Sequence, residues 1–369
     1  MCIRDSQYTN HLLHFTDPRL GRGAERLSAD AVTADFAAQK IYLSNGFSTG
    51  DPLAIARAIG PHVARVIHPY QFAQPPVARV WGITPMHGED DADLHFDLRG
   101  GAFTWWRLLG SEISGHVHWL GQHLSLSNIW AGCYGGQVHG SAQFDFHPGH
   151  DADYQFTVTA TNALLPPLVT DLFLATNHLD GRLNGTLAIT RANTADINTW
   201  TGSGDLTLRN GLIWDVPIFG LFSQALNSVV PGLGNSRASA GRCTFGITNG
   251  VISSEDLEIR STGMRLQYRG TLDFQGQVNA RAEAELLRDA WLVGPLVSTV
   301  LWPVTKLFEY KITGTLGAPK GDPVYLVPKV VTLPFLFPFR PLRTLRGLFP
   351  ENSNANNTNP PPARPPESD

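Results

Sequence analysis

Histidine is the residue type in this sequence that most directly suggests chemistry, because the chain carries 13 histidines. His116 and His118 are two residues apart, which places both side chains on one face of a β-strand, and His123 and His139 follow nearby. A metal site needs three or four convergent ligands, and histidines are common on the solvent-facing side of strands. From the sequence we therefore predict no metal site.

An acidic run and a group of tryptophans are the other candidates for binding chemistry. Residues 89–93 are mostly carboxylates but lack the spaced oxygen ligands and the glycine of a calcium loop, which favours a solvated turn. Trp105, Trp106, Trp119 and Trp130 could stack on sugar rings. Large aromatic side chains are equally suited to packing a β core or lining an apolar groove, so we assign no sugar site.

None of these residues belongs to a catalytic motif that we recognise in the sequence. The chain has no phosphate loop G-x-x-x-x-G-K-[ST], no dinucleotide fingerprint G-x-G-x-x-G and no H-E-x-x-H, and we expect no G-x-S-x-G nucleophile elbow. A catalytic triad can be assembled from scattered residues, so missing motifs lower the case for an enzyme without removing it. We predict a protein that is not an enzyme, with no catalytic residue and no cofactor.

The composition favours many short strands. Only 16% of the 369 residues are charged, whereas glycine numbers 36 and proline 26, which is typical of strands joined by tight turns. The formal net charge of -4 gives no basic surface for nucleic acid, so we predict no nucleic-acid partner. Cys2, Cys133 and Cys243 are odd in number and lack C-x-x-C spacing, which supports neither a disulfide framework nor a zinc site.

Alternation of apolar and polar residues is the dominant pattern in the chain. Phe156, Val158 and Ala160 alternate with threonines, and the longest alternating stretch covers residues 278–286. Such segments are typical of antiparallel strands with one face in solvent. The predicted fold is mainly β: an elongated, curved antiparallel sheet of hairpin repeats with an apolar inner face and a few short helices. Tight hairpin turns are predicted at the four Asn-Gly pairs, residues 45–46, 184–185, 210–211 and 249–250.

Helices are few in this prediction, at residues 52–67, 163–174, 217–230 and 287–309. The longest uncharged run, residues 290–305, is interrupted by glycine and proline and is shorter than the ~20 apolar residues of a membrane span, so we predict no transmembrane helix. About fifteen strands with one apolar face each cannot be covered by so few helices. The strands must pack on one another or curl around a trough that a ligand fills, such as an acyl chain, whose burial contributes ~0.8 kcal/mol per CH₂.

A specific order of motifs runs through residues 204–319. Gly204-Asp-Leu-Thr-Leu is followed by Val216-Pro217, by Asn249-Gly250, by Gly270-Thr-Leu-Asp-Phe and by Gly314-Thr-Leu-Gly-Ala-Pro319. This order resembles the C-terminal region of the AsmA-like family of bacterial envelope proteins, the AsmA, TamB and YhdP type. The stretch Gly135-Gly-Gln-Val-His-Gly140 resembles that family's repeat unit, and the resemblance covers about residues 86–319.

The resemblance implies a non-enzymatic protein of the Gram-negative envelope, anchored to the inner membrane and facing the periplasm. Its partners would be phospholipid or another acyl lipid, the inner membrane and, at the far end of the path, the outer membrane. The lipid would move along an apolar β groove. We predict that this groove is lined by Leu206, Leu208, Leu257, Ile259, Leu266, Leu272, Phe274, Val278, Ala280, Ala282, Ile312 and Leu316.

The C-terminal part of the chain suggests a second contact with lipid. Apolar residues interleave with arginine between residues 330 and 349, a pattern suited to an anionic membrane surface, although an edge strand along the sheet would explain it equally well. The predicted membrane-contact residues are Phe335, Phe337, Arg340, Arg343 and Arg346.

The predicted organisation has six parts. They are a partial β segment with a non-native start resembling an assembly scar (1–50), a helix with a Pro-rich linker (51–85), a β repeat region (86–200), the AsmA-like C-terminal module (201–319), the apolar and basic segment (320–350) and a disordered tail (351–369).

Two other classes of protein would share many of these sequence features. A structural envelope scaffold or adhesin would pack the same strands into a dry core without a ligand. A secreted β-helix enzyme acting on polysaccharide would also be rich in glycine and strands, but it predicts carboxylates clustered on one face, which the sequence does not show.

Overall fold

The protein is one antiparallel sheet of 22 strands with two short helices, within the residues that the structure describes. This computed structural model describes residues 5–59, 64, 67–88, 91–147, 151–173, 179–211, 238–261, 264–286 and 306–326. The predicted fold class, a mainly β protein built on an extended antiparallel sheet, is confirmed.

The N-terminal part of the sheet contains eight strands and one helix. They are β1 (Asp5–Thr9), β2 (Leu12–Thr16), β3 (Arg19–Arg22), β4 (Glu25–Ser28), β5 (Ala31–Asp35), β6 (Lys40–Ser48), α1 (Pro52–Ile59), β7 (Tyr70–Phe72) and β8 (Val77–Pro85). The segment predicted as helix and linker, residues 51–85, therefore also contributes two strands to the sheet.

Most of the remaining strands are longer, and they follow one another with few interruptions. They are β9 (Asp93–Gly100), β10 (Phe103–Trp105), β11 (Leu108–Leu120), β12 (His123–Cys133), β13 (Gly136–Phe146), β14 (Ala152–Leu164), β15 (Arg182–Asn193), β16 (Asp196–Gly211), β17 (Ala238–Thr248), β18 (Val251–Ser261), β19 (Met264–Asp273), β20 (Val278–Leu286), β21 (Lys306–Thr315) and β22 (Ala318–Leu326). Helix α2 (Leu165–Phe173) follows β14 directly.

The strand order is a meander over most of the sheet. From β11 to β22 each strand pairs with the next one in the chain. Before β11 the hydrogen-bonded order is β1, β2, β5, β6, β8, β9 and β11. Two short pairs extend the sheet sideways, with β3–β4 joined through β4 to β6, and β7–β10 joined through β10 to β11.

The strand register aligns apolar positions across the sheet. Because side chains alternate between the two faces, residues paired directly across neighbouring strands share a face. One continuous row of paired positions crosses eleven strands, from β9 to β20, and consists of Phe96, Val117, Leu126, Ala142, Phe156, Ile189, Gly202, Ile247, Ile252, Leu272 and Val278. We call the side of the sheet that carries this row the apolar face, and the opposite side the polar face.

The pairing between strands is irregular in several places. Register shifts interrupt the pairing of several neighbours, including β12 with β13 and β14 with β15, and such bulges increase bending and twist. Trp200 on β16 meets Phe274, which follows β19, with ring centroids 6.0 Å apart. Phe274 reaches Trp200 because its N–H donates to the Gly250 carbonyl at 2.9 Å, in the turn between β17 and β18.

Only one of the four predicted Asn-Gly turns is a hairpin turn. Asn249 and Gly250 have φ values of 51° and 72° and join β17 to β18 as predicted. Residues 45–46 instead lie inside β6 at a register shift, and residues 184–185 lie inside β15. Residues 210–211 end β16. Asn-Gly allows positive φ, but a bulge uses that freedom as well as a turn does.

The two described helices match two of the predicted ones. At the start of α1, the Leu53 N–H donates to Asp51 Oδ1 at 3.0 Å, which is the expected N-cap. Helix α2 covers most of the predicted 163–174 segment. Residues 217–230 lie outside the described residues, as do 287–305, but residues 306–309 belong to β21, so a helix extending to residue 309 is wrong. Neither described helix is long and apolar enough to cross a membrane.

Candidate functional site: the apolar face of the sheet

Three clusters of packed side chains follow one another along the apolar face. The first centres on Leu94, Trp119 and Leu124, and the second on Ile189, Trp200 and Ile247. The third, in the C-terminal strands, contains Leu266, Phe308 and other side chains with no exposed surface. The apolar face is therefore not equally buried along its length.

Aromatic rings connect the first two clusters. Phe144 stacks on Tyr154, Tyr154 on Phe156, and Phe156 meets the edge of Trp200, with centroids 5.5 to 6.2 Å apart. The Trp200 Nε1–H donates to Tyr154 Oη at 2.7 Å. Burial raises the pKa of Tyr154 and outweighs this hydrogen bond, so the phenol stays neutral. The rings form an apolar path whose polar atoms are satisfied within the protein.

The structure places the twelve predicted groove residues on the apolar face. Leu208, Ile259, Leu266 and Ala284 are successive positions of one paired row, with Gly241 between the first two. Six of the twelve are less than a tenth exposed, namely Ile259, Leu266, Phe274, Val278, Ala282 and Ile312. Five others are partly buried against the C-terminal cluster, namely Leu208, Leu257, Leu272, Ala280 and Leu316.

Leu206 is the twelfth residue and the most accessible one, with 37% of its surface exposed. The fully buried members are core residues, because a ligand cannot touch a side chain that has no exposed surface. Among the predicted groove residues, only Leu206 and the partly buried positions could therefore contact a ligand.

Apolar side chains outside the predicted groove are also partly exposed farther toward the N-terminus. Val117, Leu126, Val158, Leu187 and Phe245 are partly exposed and lie on the apolar face between β11 and β17. Alternation around residues 124–126 and 156–160 contained the signal for two of these strands. The sequence could not show that these strands and the C-terminal module share one face, because that depends on register.

No second sheet packs on the apolar face within the described residues. Extensive contacts between elements join hydrogen-bonded strands, apart from those of α2 with β11 and β14. Ala56 of α1 belongs to the first cluster and Leu165 of α2 packs against the third. Among the described residues, the two short helices therefore cover the apolar face only locally.

The polar face carries a network of ion pairs in the C-terminal strands. Arg281 Nη1 lies 3.0 Å from Glu309 Oε1, and Arg265 Nε donates to Glu285 Oε2 at 3.1 Å. Glu258 contacts Arg260 and is only 6% exposed. The sheet therefore carries charged side chains on one face and apolar side chains on the other.

The four tryptophans considered for sugar binding do not form one platform. Trp119 is buried in the first cluster, and Trp130 is paired with His139 on the polar face. Trp105 stacks on Trp106 with centroids 4.3 Å apart, and on Tyr70. Their separation agrees with packing roles.

The expectation that the sequence lacks a G-x-S-x-G pattern is wrong, because residues 46–50 read Gly-Phe-Ser-Thr-Gly. Ser48 ends β6 and α1 begins at Pro52, so the pattern does lie between a strand and a helix. The Ser48 side chain is 4% exposed, and its Oγ accepts a hydrogen bond from the Gly50 N–H at 3.0 Å. A nucleophile elbow presents its serine to substrate, so this serine has the geometry of a turn residue.

The two described cysteines are also poorly suited to chemistry. Cys133 and Cys243 are free thiols, and burial raises the pKa of both, that of Cys243 to about 11. Cys2 and the predicted membrane-contact residues Phe335, Phe337, Arg340, Arg343 and Arg346 lie outside the described residues, as does the predicted tail at 351–369.

Comparison with known proteins identifies no relative for this chain. No protein-family model, no curated protein and no solved structure matches it.

Proposed function

We propose that this protein binds phospholipid or another acyl lipid along the apolar face and conducts it without catalysis. The supporting observation is the continuous apolar row from Phe96 to Val278, most of whose residues are partly exposed. Apolar surface of this extent is unfavourable in water unless something covers it.

The dimensions suit a path rather than a single pocket. Ten steps between strands at ~4.8 Å each give a row of about 48 Å, which exceeds the ~30 Å hydrocarbon core of a bilayer. Burial of each acyl CH₂ contributes ~0.8 kcal/mol, and neighbouring positions along the row are chemically alike. A chain bound at one position can therefore slide to the next without a large barrier.

The place of action that we propose rests on the AsmA-like resemblance of residues 86–319. The protein would belong to the Gram-negative envelope, face the periplasm from an inner-membrane anchor and take part in outer-membrane biogenesis. The polar face, with its ion pairs between neighbouring strands, suits an aqueous compartment.

The alternative function, a polysaccharide-acting enzyme, was predicted on a β-helix, which differs from this fold. A β-helix pairs its coils in parallel, whereas every described strand pair here is antiparallel. The scaffold alternative requires a dry, covered core, and the partly exposed apolar residues between β11 and β17 argue against it.

Lipid extraction followed by mass spectrometry tests the proposal on the full chain, purified without harsh detergent. We expect phospholipid at one or more molecules per chain. A folded chain free of lipid would favour the scaffold, and a bound glycan in place of lipid would return attention to an enzyme.

A further inference from the structure

A cluster of histidine and aspartate side chains lies on the polar face, away from the proposed lipid path. Asp93, His95 and Asp97 alternate along β9, and His116 and His118 do so along the neighbouring β11. The register pairs His95 with His118 and Asp97 with His116. Five side chains able to bind metal or exchange protons therefore converge on two paired strands.

Ligand atoms of three of these residues lie close to one another. One ligand atom each from Asp93, His95 and His118 lies within 4.8 Å of the others. Asp93 Oδ1 is 2.9 Å from His118 Nε2 and 3.4 Å from His95 Nε2. Two ligands bound at 2.0–2.1 Å to a tetrahedral zinc ion are about 3.4 Å apart, which is close to these oxygen–nitrogen distances. The two imidazole rings are parallel, so at least one ring must rotate for both lone pairs to point at one ion.

His116 and Asp97 support these ligands through further hydrogen bonds. His95 Nδ1 is 3.3 Å from His116 Nε2, and His116 Nδ1 is 2.8 Å from Asp97 Oδ1. Metal-binding histidines commonly use their other ring nitrogen in this way, which fixes the tautomer and the ring orientation. The His95 and His118 rings are also stacked, with centroids 4.0 Å apart and planes 5° from parallel.

The same line of contacts can present lone pairs to a cation. If His116 donates to Asp97 and His95 donates to His116, the lone pair of His95 Nε2 faces the Asp93 carboxylate. A metal ion satisfies both acceptors at that contact.

We propose that Asp93, His95 and His118 bind a divalent transition-metal ion of the zinc class, with His116 and Asp97 positioning His95. Two imidazoles and one carboxylate are a ligand set suited to Zn²⁺, and three protein ligands leave a coordination position for water or an anionic group. When the ion binds, the His118 proton moves from Nε2 to Nδ1, so no other group must accept it. The ion would fasten β9 to β11.

Calorimetric titration of the full, metal-stripped chain with Zn²⁺ tests this proposal. We expect one site per chain, weakened at least tenfold by Asp93→Asn and by His118→Gln. His123→Gln is the matched control, because His123 is also a histidine on the polar face next to an aspartate, Asp145, but lies outside the cluster. The control is expected to bind zinc as the unchanged chain does.

Two optical readouts separate ligation from general disturbance of the sheet. Trp81 stacks on His95 with centroids 5.4 Å apart, so Cu²⁺ bound at the site should quench Trp81 fluorescence, and Trp81→Phe should remove that signal. His116→Gln should weaken Co²⁺ binding about 10- to 100-fold while leaving the Co²⁺ absorption spectrum unchanged, since the ligands stay the same. Equal zinc affinity of the unchanged chain and His118→Gln, or equal losses in His118→Gln and His123→Gln, would overturn the site.

Discussion

Glu258 shows how single charges are held on the polar face. It is 6% exposed, contacts Arg260, and lies 3.6 Å from Arg242 and 3.9 Å from Arg265. Burial opposes its ionisation, but the Arg260 hydrogen bond and the three positive charges outweigh burial and hold the pKa of Glu258 below its usual range. The arginines are partly exposed, so solvent weakens each pair.

The Glu258→Gln substitution is expected to lower the free energy of unfolding at neutral pH by about 1–2 kcal/mol, since it leaves three arginines around a neutral group. A pKa that is lower in the folded state contributes stability above the pKa of the unfolded chain, and this contribution is lost as pH falls through the folded pKa. The difference between the two proteins should therefore shrink in acid. Urea midpoints at pH 7 and pH 3 measure it.

Glu255→Gln is the control for this prediction, because Glu255 is an exposed carboxylate on the same strand. It should change the urea midpoint little at either pH. A difference between Glu258→Gln and the unchanged chain that is the same at pH 7 and pH 3 would show that the carboxylate charge is not what stabilises this region.

The sheet requires a glycine at position 82. Its φ is 128°, and an added Cβ would lie 2.0 Å from the Asp93 carbonyl oxygen across the β8–β9 pair. We expect Gly82→Ala to cost about 2–3 kcal/mol of stability, because strain and overpacking add. Thermal unfolding followed by circular dichroism measures the loss. Gly246→Ala should be nearly neutral, since its nearest contact is Ser253 Oγ at 3.6 Å, and equal effects of the two changes would contradict the explanation.

At the scale of elements, α2 is held to the sheet through one tyrosine in the β12–β13 turn. Tyr134 Oη donates to Asp171 Oδ2 at 2.7 Å and accepts a hydrogen bond from the Leu109 N–H at 3.0 Å. Burial and the Asp171 contact raise the pKa of Tyr134, so the hydroxyl remains a donor across the physiological range. One side chain thus links α2, β11 and the turn.

Tyr134→Phe should loosen α2 while leaving the C-terminal strands unchanged, since it removes both hydrogen bonds and keeps the ring. We expect a local cost of about 1–2 kcal/mol. Hydrogen exchange with mass spectrometry would show faster exchange in α2 and unchanged exchange in β18–β20. Tyr8→Phe, at a position 64% exposed, is the control. Unchanged exchange in α2 would mean that other contacts hold the helix.

Sequence patterns predicted the strands better than they predicted what joins them. The alternation at Phe156, Val158 and Ala160 gives β14 directly, because side-chain direction has period two. The residues 306–309 were assigned to a helix because an apolar run does not by itself distinguish helix from strand. Register is set by bulges and by pairing over distance, so the contact of His95 with His118 could not be read from either strand alone.

At the scale of the whole molecule, the two faces of the sheet divide the proposed roles. In our proposal the apolar face supplies a path for acyl chains, whereas the polar face carries ion pairs and the proposed metal site. The predicted groove was placed mainly in residues 206–316, where many side chains are core. Partly exposed apolar residues on β11–β17 extend the accessible part of the proposed path toward the N-terminus.

A charge placed in this accessible part should block lipid without unfolding the sheet. Val158 and Leu187 are paired directly across β14 and β15 and are partly exposed. We expect Val158→Glu and Leu187→Glu to reduce co-purified lipid at least fivefold, because a carboxylate is poorly solvated beside acyl chains. Thr157→Glu and Thr186→Glu, one residue away on the polar face, should retain lipid. Circular dichroism checks that all four variants fold, and equal lipid loss in both pairs would contradict the assignment of faces.

The most direct test of the lipid path is photo-crosslinking in cells that make the full chain. A photoreactive amino acid would replace Leu126, Leu187 or Phe245 on the apolar face, and Ser125, Thr186 or Thr244 on the polar face of the same three strands. We predict phospholipid adducts, identified by mass spectrometry, at the first three positions and none at the other three. Adducts at neither set, from a folded chain, would contradict the account.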